Sequence, residues 1–237
     1  ESRLSLRRFL QLYLRNQRNY ENILMRIIHL SFLIILNSLS ILYLAQDFEG
    51  EIVFSAYHKY ADSSIKSTPN LPSNVVYKIS GEHVRIEQQT QMGKQVILFD
   101  TLSLMKTIVI NQNGQELAIQ LKMEVDSNLK IKTTQLEDSL KIFGFTCHKV
   151  LWNSYDEKTS SNSYADIYYT NEIASGYMEN FEKLTGFPLK YTLVSSGIES
   201  TYESINVTRK KLNPSIFKID KKTPMYTFEE FKSLMSE

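Results

Sequence analysis

The chain has 237 residues, 42% of them hydrophobic, with 27 basic against 26 acidic side chains and a formal net charge of +1. That balance excludes the strongly basic face of a nucleic-acid binder. The single cysteine, Cys147, excludes an intramolecular disulfide.

Residues 1–45 read as a leader, not as fold. Residues 1–24 hold five arginines without a stable apolar stripe and are expected to be an upstream extension. Residues 25–45 open on Met25-Arg26, continue through an apolar run from Leu30 to Leu44 and end on the small residue Ala45. A basic start, an apolar middle and a small residue at the end are the pattern of a secretory signal peptide, with cleavage expected near Ala45. The alternative is an uncleaved anchor, since the run with its flanks approaches a bilayer span. No cysteine follows it to take a lipid. Residues 46–237 form one domain with 21 basic and 24 acidic side chains, so the basic surplus belongs to the leader. With the leader removed, no membrane span is expected, and the protein is placed in the periplasm or outside the cell.

The domain reads as β almost throughout. Ile52, Phe54 and Ala56 alternate with Val53, Ser55 and Tyr57 in a first strand, and a Ser-, Pro- and Asn-rich loop follows over 62–74. Strands are expected over 75–80 and 83–91 with a turn at Gly81-Glu82, then over 95–100 and 104–110. Asn111-Gln112-Asn113-Gly114 is a hairpin turn. Beyond it Leu117, Ile119, Leu121 and Met123 alternate with Glu116, Ala118, Gln120 and Lys122, the cleanest amphipathic strand in the chain. Residues 129–135 continue the series.

Three phrases then organise the chain. In Phe143-Gly144-Phe145-Thr146-Cys147-His148-Lys149-Val150 the pattern from Thr146 to Trp152 has period two. Ala165-Asp166-Ile167-Tyr168-Tyr169-Thr170 is a return strand after a polar loop over 153–163. Leu184-Thr185-Gly186-Phe187-Pro188-Leu189-Lys190-Tyr191 turns into a third strand. Strands over 198–211 and 215–219 complete the β series. Two short helices are expected. In 174–184, Tyr177, Phe181 and Leu184 recur at helical spacing. In 227–235, Thr227-Phe228-Glu229-Glu230 is a capping box and Phe228, Phe231 and Leu234 form the buried face.

The order of the three phrases resembles a secreted bacterial branch, without an assigned function, of the outer-membrane lipoprotein carrier (LolA/LolB-like) superfamily. The resemblance implies an open antiparallel half-barrel with an apolar concave face in a cell-envelope setting. It brings no catalytic motif.

The fold class expected is therefore mainly β: a single antiparallel meander curled into an open half-barrel with two short helices. No catalytic residue, cofactor or metal site is assigned. His58, His83 and His148 lie on three separate strands and none forms a ligand pair. Cys147 and His148 are adjacent, so on a strand their side chains point to opposite faces, and Cys147 is expected as a buried small hydrophobe. Short strands with one apolar face must cover something. The candidate lining of the groove is Leu117, Ile119, Leu121, Met123, Val150, Trp152 and Tyr191. A basic rim is read at Arg209, Lys210 and Lys211, meeting solvent or anionic head groups. The function expected is non-enzymatic binding of a lipid or other hydrophobic ligand; the alternative is a structural or protein-interaction module with a filled core and an envelope protein as partner.

Overall fold

The computed structural model describes residues 48–234 except 61–70, 91–92, 113, 124–127, 179–180 and 182. The extension over 1–24, the signal peptide over 25–45 and the cleavage point near Ala45 lie outside the described residues. Twelve strands form one sheet: β1 (Gly50–Tyr60), β2 (Asn74–Ser80), β3 (His83–Thr90), β4 (Gly93–Asp100), β5 (Met105–Gln112), β6 (Gln115–Lys122), β7 (Leu129–Ile142), β8 (Phe145–Asp156), β9 (Ser161–Thr170), β10 (Phe187–Ser195), β11 (Ile198–Arg209) and β12 (Met225–Thr227). Their order in the sheet is β12-β6-β5-β4-β3-β2-β1-β11-β10-β9-β8-β7, and the sheet is not closed into a barrel.

Sequential hairpins run β1 to β6 on one side and β7 to β11 on the other. The two runs join where β1 pairs antiparallel with β11, with a register shift at Val53/Phe54. Apart from β12, which pairs parallel with β6, every pairing is antiparallel. The hairpins follow from local chemistry. Phe143 and Gly144 both take positive φ, 48° and 86°, as a two-residue turn matched to strand twist requires. Gly186, at the entry to β10, packs so close to the Thr170 carbonyl that a Cβ would collide with it.

The core lies on the concave face. Ile52 and Phe54 of β1, Val75, Tyr77 and Ile79 of β2, Val150 and Trp152 of β8, Ile167 of β9 and Leu189 and Tyr191 of β10 are buried in one cluster. The connection from β9 to β10 closes it from above, contributing Ile173, Tyr177, Met178, Phe181 and Leu184, each at most 6% exposed. The backbone of that connection is fastened by the Phe187 amide donating to the Ile173 carbonyl at 3.0 Å.

Here the structure departs from the expected elements. The helix over 174–184 is reduced, among the described residues, to one 3-10 turn at Ser175–Tyr177. Tyr177 and Met178 are neighbours and both buried, so the segment buries its sides all round instead of presenting one stripe, and Gly176 disfavours a helix. The strand over 215–219 is instead a 3-10 turn, Pro214–Phe217, started by Pro214 and capped by the Asn213 side chain accepting from the Ser215 amide. The second helix is present as α1 (Phe228–Leu234). Its capping box forms as read: the Thr227 amide donates to Glu230 Oε2 at 2.7 Å and the Glu230 amide to Thr227 Oγ1 at 3.2 Å. Its apolar face is not buried, however: Phe228 and Leu234 are 54% and 53% exposed, because the helix follows β12 at the sheet edge.

The polar loop over 153–163 is also shorter than expected, a four-residue turn over 157–160, with β8 and β9 running on as polar strand ends. In β8 the alternation changes phase. Phe145 and Cys147 are buried, and so are Val150, Trp152 and Ser154. A register shift between Gln135 and Ser139 on β7 accompanies it, the usual effect of extra residues in one strand of a pair.

Candidate functional site

Residues paired directly across antiparallel strands share a face. From β3 to β6 this register sets Ile86, Ile97, Ile108 and Ile119 in one row, on the face that Tyr77 and Ile52 occupy on β2 and β1. A second row sets Gln88, Gln95, Ile110 and Leu117 side by side, and a third Val84, Phe99, Lys106 and Leu121. The concave face of this half is therefore apolar along its middle. Ile119, Val84 and Phe99 are buried, whereas Ile86, Ile97, Ile108, Ile110, Leu117 and Leu121 are only half-buried.

Where the open rows meet the closed core there is a cleft of about 130 Å³ lined by Val75, Tyr77, Ile86, Gln88, Ile97, Lys106, Tyr191 and Tyr202. Its aromatic wall is a chain of ring contacts. Tyr191 and Tyr202 stack with centroids 4.7 Å apart and 17° between planes. Tyr191 is held in turn by Phe181 at 4.9 Å, and Phe181 by Trp152 at 5.4 Å. Burial, then the neighbouring Tyr77 and Tyr202, push the Tyr191 hydroxyl well above its usual range, so it stays neutral. The Gln88 side-chain amide donates to Gln95 Oε1 at 2.9 Å and gives the cleft a polar margin. Its volume is below the ~300–1,000 Å³ usual for an enclosed small-ligand pocket. An extended ligand would have to lie along the isoleucine row.

The candidate lining residues thus fall in two places. Leu117, Ile119 and Leu121 stand on the open rows, and Met123 packs against the edge of the core. Val150 (0% exposed) and Trp152 (4%) are packed inside the closed half beneath Phe181. Tyr191, equally buried, is the one that reaches the cleft. Ile86, Ile97, Ile108 and Tyr202 were not singled out from the sequence. Ile86 and Ile97 alternate with polar or other apolar neighbours as many strand residues do, and only the cross-strand register brings them into line.

The basic rim residues have different surroundings. The Arg209 guanidinium lies 5.3 Å from the ring centres of both Phe48 and Phe145, a cation–π contact that also covers the core end. Lys210 pairs with Glu51 Oε2 at 3.3 Å. Lys211 is exposed and, among the described residues, its side chain has no partner. A tighter charge cluster lies on the outer face. Glu87 accepts from Lys78 and Arg85 Nε, each at 2.7 Å, and from Lys94 at 3.0 Å. Partial burial opposes ionisation, but these three cations bring the carboxyl down to about 2.

Groups with catalytic chemistry are held apart or already engaged. Cys147 is fully buried, and burial pushes its thiol up to about 11. His148 is exposed and lies 6.2 Å from the Tyr169 ring. His58 Nε2 donates to the Pro72 carbonyl at 2.9 Å, and its Nδ1 shares a hydrogen bond with the buried Ser200 hydroxyl at 2.8 Å. Among the described residues no group of three His, Cys, Asp or Glu side chains could hold a metal ion. No described helix is long and apolar enough to cross a membrane.

No protein-family model matches the chain, and no curated protein matches it. Among solved structures it is similar to the Mycobacterium tuberculosis lipoprotein LppX, with a TM-score of 0.37 and 5% sequence identity over 70% of this chain and 89% of that chain. At that level the likeness bears on neither ligand nor role.

Proposed function

We propose that this protein is a non-enzymatic binding protein of the cell envelope whose concave face holds a lipid or other hydrophobic ligand. One observation carries the reading: the in-register row Ile86, Ile97 and Ile108 is only half-buried beside a wall of stacked tyrosines, while the β8–β10 half of the concave face is sealed. An acyl chain laid along that row removes apolar surface on both sides from water, at about 0.8 kcal/mol per buried methylene. The envelope setting rests on the leader over 25–45 and on the resemblance of the three phrases to the LolA/LolB-like superfamily. Leu117 and Leu121 would flank the chain, Tyr191 and Tyr202 would end it, and Lys211 with its neighbours would face anionic head groups.

A second reading has its own support. The β9–β10 connection fills the other half so completely that this part is a packed core, as a structural or protein-interaction module requires. Native mass spectrometry of protein purified from its source separates the two. A ligand carrier shows added mass, and Ile97→Asp removes it while leaving the sealed core folded. Protein that arrives without added mass, and takes none from a lipid extract, leaves the structural module.

A further inference from the structure

The two faces of the open half differ in a way that the concave reading does not use. Behind β3–β5, on the outer face, the chain after β11 crosses the sheet as a strap. It is tied at one end by Arg85 Nη1 donating to the Ile216 carbonyl at 2.8 Å and at the other by the Ala118 amide donating to the Pro224 carbonyl at 2.8 Å. Between the ties the strap stands off the sheet and leaves a pocket of about 410 Å³. Its floor is Leu98, Met105 and Thr107, and its roof is Phe217, Ile219 and Met225. This is three times the volume of the concave cleft and within the range of small-ligand sites.

The mouth has a defined charge. His83, Asp100, Met105 and Lys122 follow one another across β3–β6. The Asp100 carboxylate is already satisfied. It accepts from the Leu102 and Ser103 amides at 3.1 and 2.7 Å and from the Ser103 hydroxyl at 2.8 Å, and faces His83 Nδ1 at 3.3 Å. Lys218, on the strap, and Lys122 have no side-chain partner among the described residues, and Lys218 borders the pocket. An apolar pocket with Lys218 at its mouth, and with the Asp100 carboxylate held by the Leu102–Ser103 turn, fits an amphiphile with a short apolar chain and an anionic head.

We infer that the strap pocket is a second binding site, on the face opposite the concave groove, for a monoanionic amphiphile of medium chain length, its chain between Leu98, Met105 and Ile219 and its head at Lys218. At about 30 Å³ for each water-sized unit, the pocket accommodates on the order of a dozen heavy atoms, the size of dodecanoate.

Methionine methyl groups report the site directly. Met105 and Met225 line the pocket, whereas Met123 and Met178 belong to the concave core. In protein labelled at the methionine methyls, dodecanoate should shift the Met105 and Met225 signals and leave those of Met123 and Met178 in place. Ile219→Trp fills the chamber from the irregular strap, keeps both reporters and should abolish the shifts. Lys218→Glu should weaken dodecanoate by about three- to five-fold while changing dodecanol little, as an exposed ion pair allows. Shifts confined to Met123 and Met178, no shift at any methionine, or unchanged binding by folded Ile219→Trp would each overturn the inference. None of these outcomes decides the concave reading, except that shifts at Met123 and Met178 support it.

Discussion

The strands on either side of β1 carry similar apolar alternation yet end in different environments. On the β8–β10 side, Val150, Ile167 and Leu189 are fully buried because the connection over 171–186 lays Ile173, Tyr177, Met178, Phe181 and Leu184 across them. On the β3–β6 side, Ile86, Ile97 and Ile108 have the same facing and chemistry but, among the described residues, no segment over them. Among the described residues, the difference lies in the connection over 171–186, which folds back over its own half.

The sharpest way to break that contrast is to remove the plug. Phe181→Ala deletes a ring that meets both Trp152 and Tyr191 and should cost about 3–5 kcal/mol in urea unfolding. A loss under 1 kcal/mol would show that the connection does not seal the half.

A matched pair tests the two halves directly. Ile167→Ala in the sealed half should cost about 2–5 kcal/mol, and Ile108→Ala on the open row about 1 kcal/mol in ligand-free protein. Equal costs would mean that the open half is packed as well. Leu121→Trp sharpens the same point: on an open face it is tolerated, and in a packed core it destabilises.

Cys147→Ser places a hydroxyl at a fully buried position and should cost about 1–3 kcal/mol. The native thiol, buried and raised to about 11, should react with a thiol reagent only as fast as the fold opens. Rapid labelling of folded protein would contradict the sealed half.

A further effect belongs to the outer face. The folded carboxyl of Glu87 titrates near 2 against an ordinary 4.5. Its contribution is therefore full above pH 4.5 and is lost as pH falls toward 2. Glu87→Gln should cost roughly 1–2 kcal/mol at pH 7, allowing for partial exposure. The gap between variant and parent should close by about pH 2. A gap that persists there would assign the loss to packing.

Much of this was legible from local chemistry. Alternation located strands β1 to β11, the 227–230 capping box placed the start of α1, and Cys147 is buried as expected of a lone thiol, although the change of phase in β8 that sets Cys147 and Val150 in one core was not legible. Turn residues such as Gly144 and Gly186 were legible because positive φ and close backbone approach admit few alternatives. Tyr177, Phe181 and Leu184 were read as apolar, and they are buried, but their helical spacing misled. Residues that plug a concavity are buried on several sides and need no single stripe.

Sequence alone determined which residues are apolar, where strands alternate and where they turn, because those are properties of neighbours in the chain. Only the tertiary structure decided that β1 pairs with β11, that the three isoleucines line up across strands, and that the strap over β3–β5 borders an open pocket. Each depends on residues brought together by pairings between distant strands or by one segment crossing another. Alternation within a strand says which side chains share a face. It does not say what, if anything, covers that face.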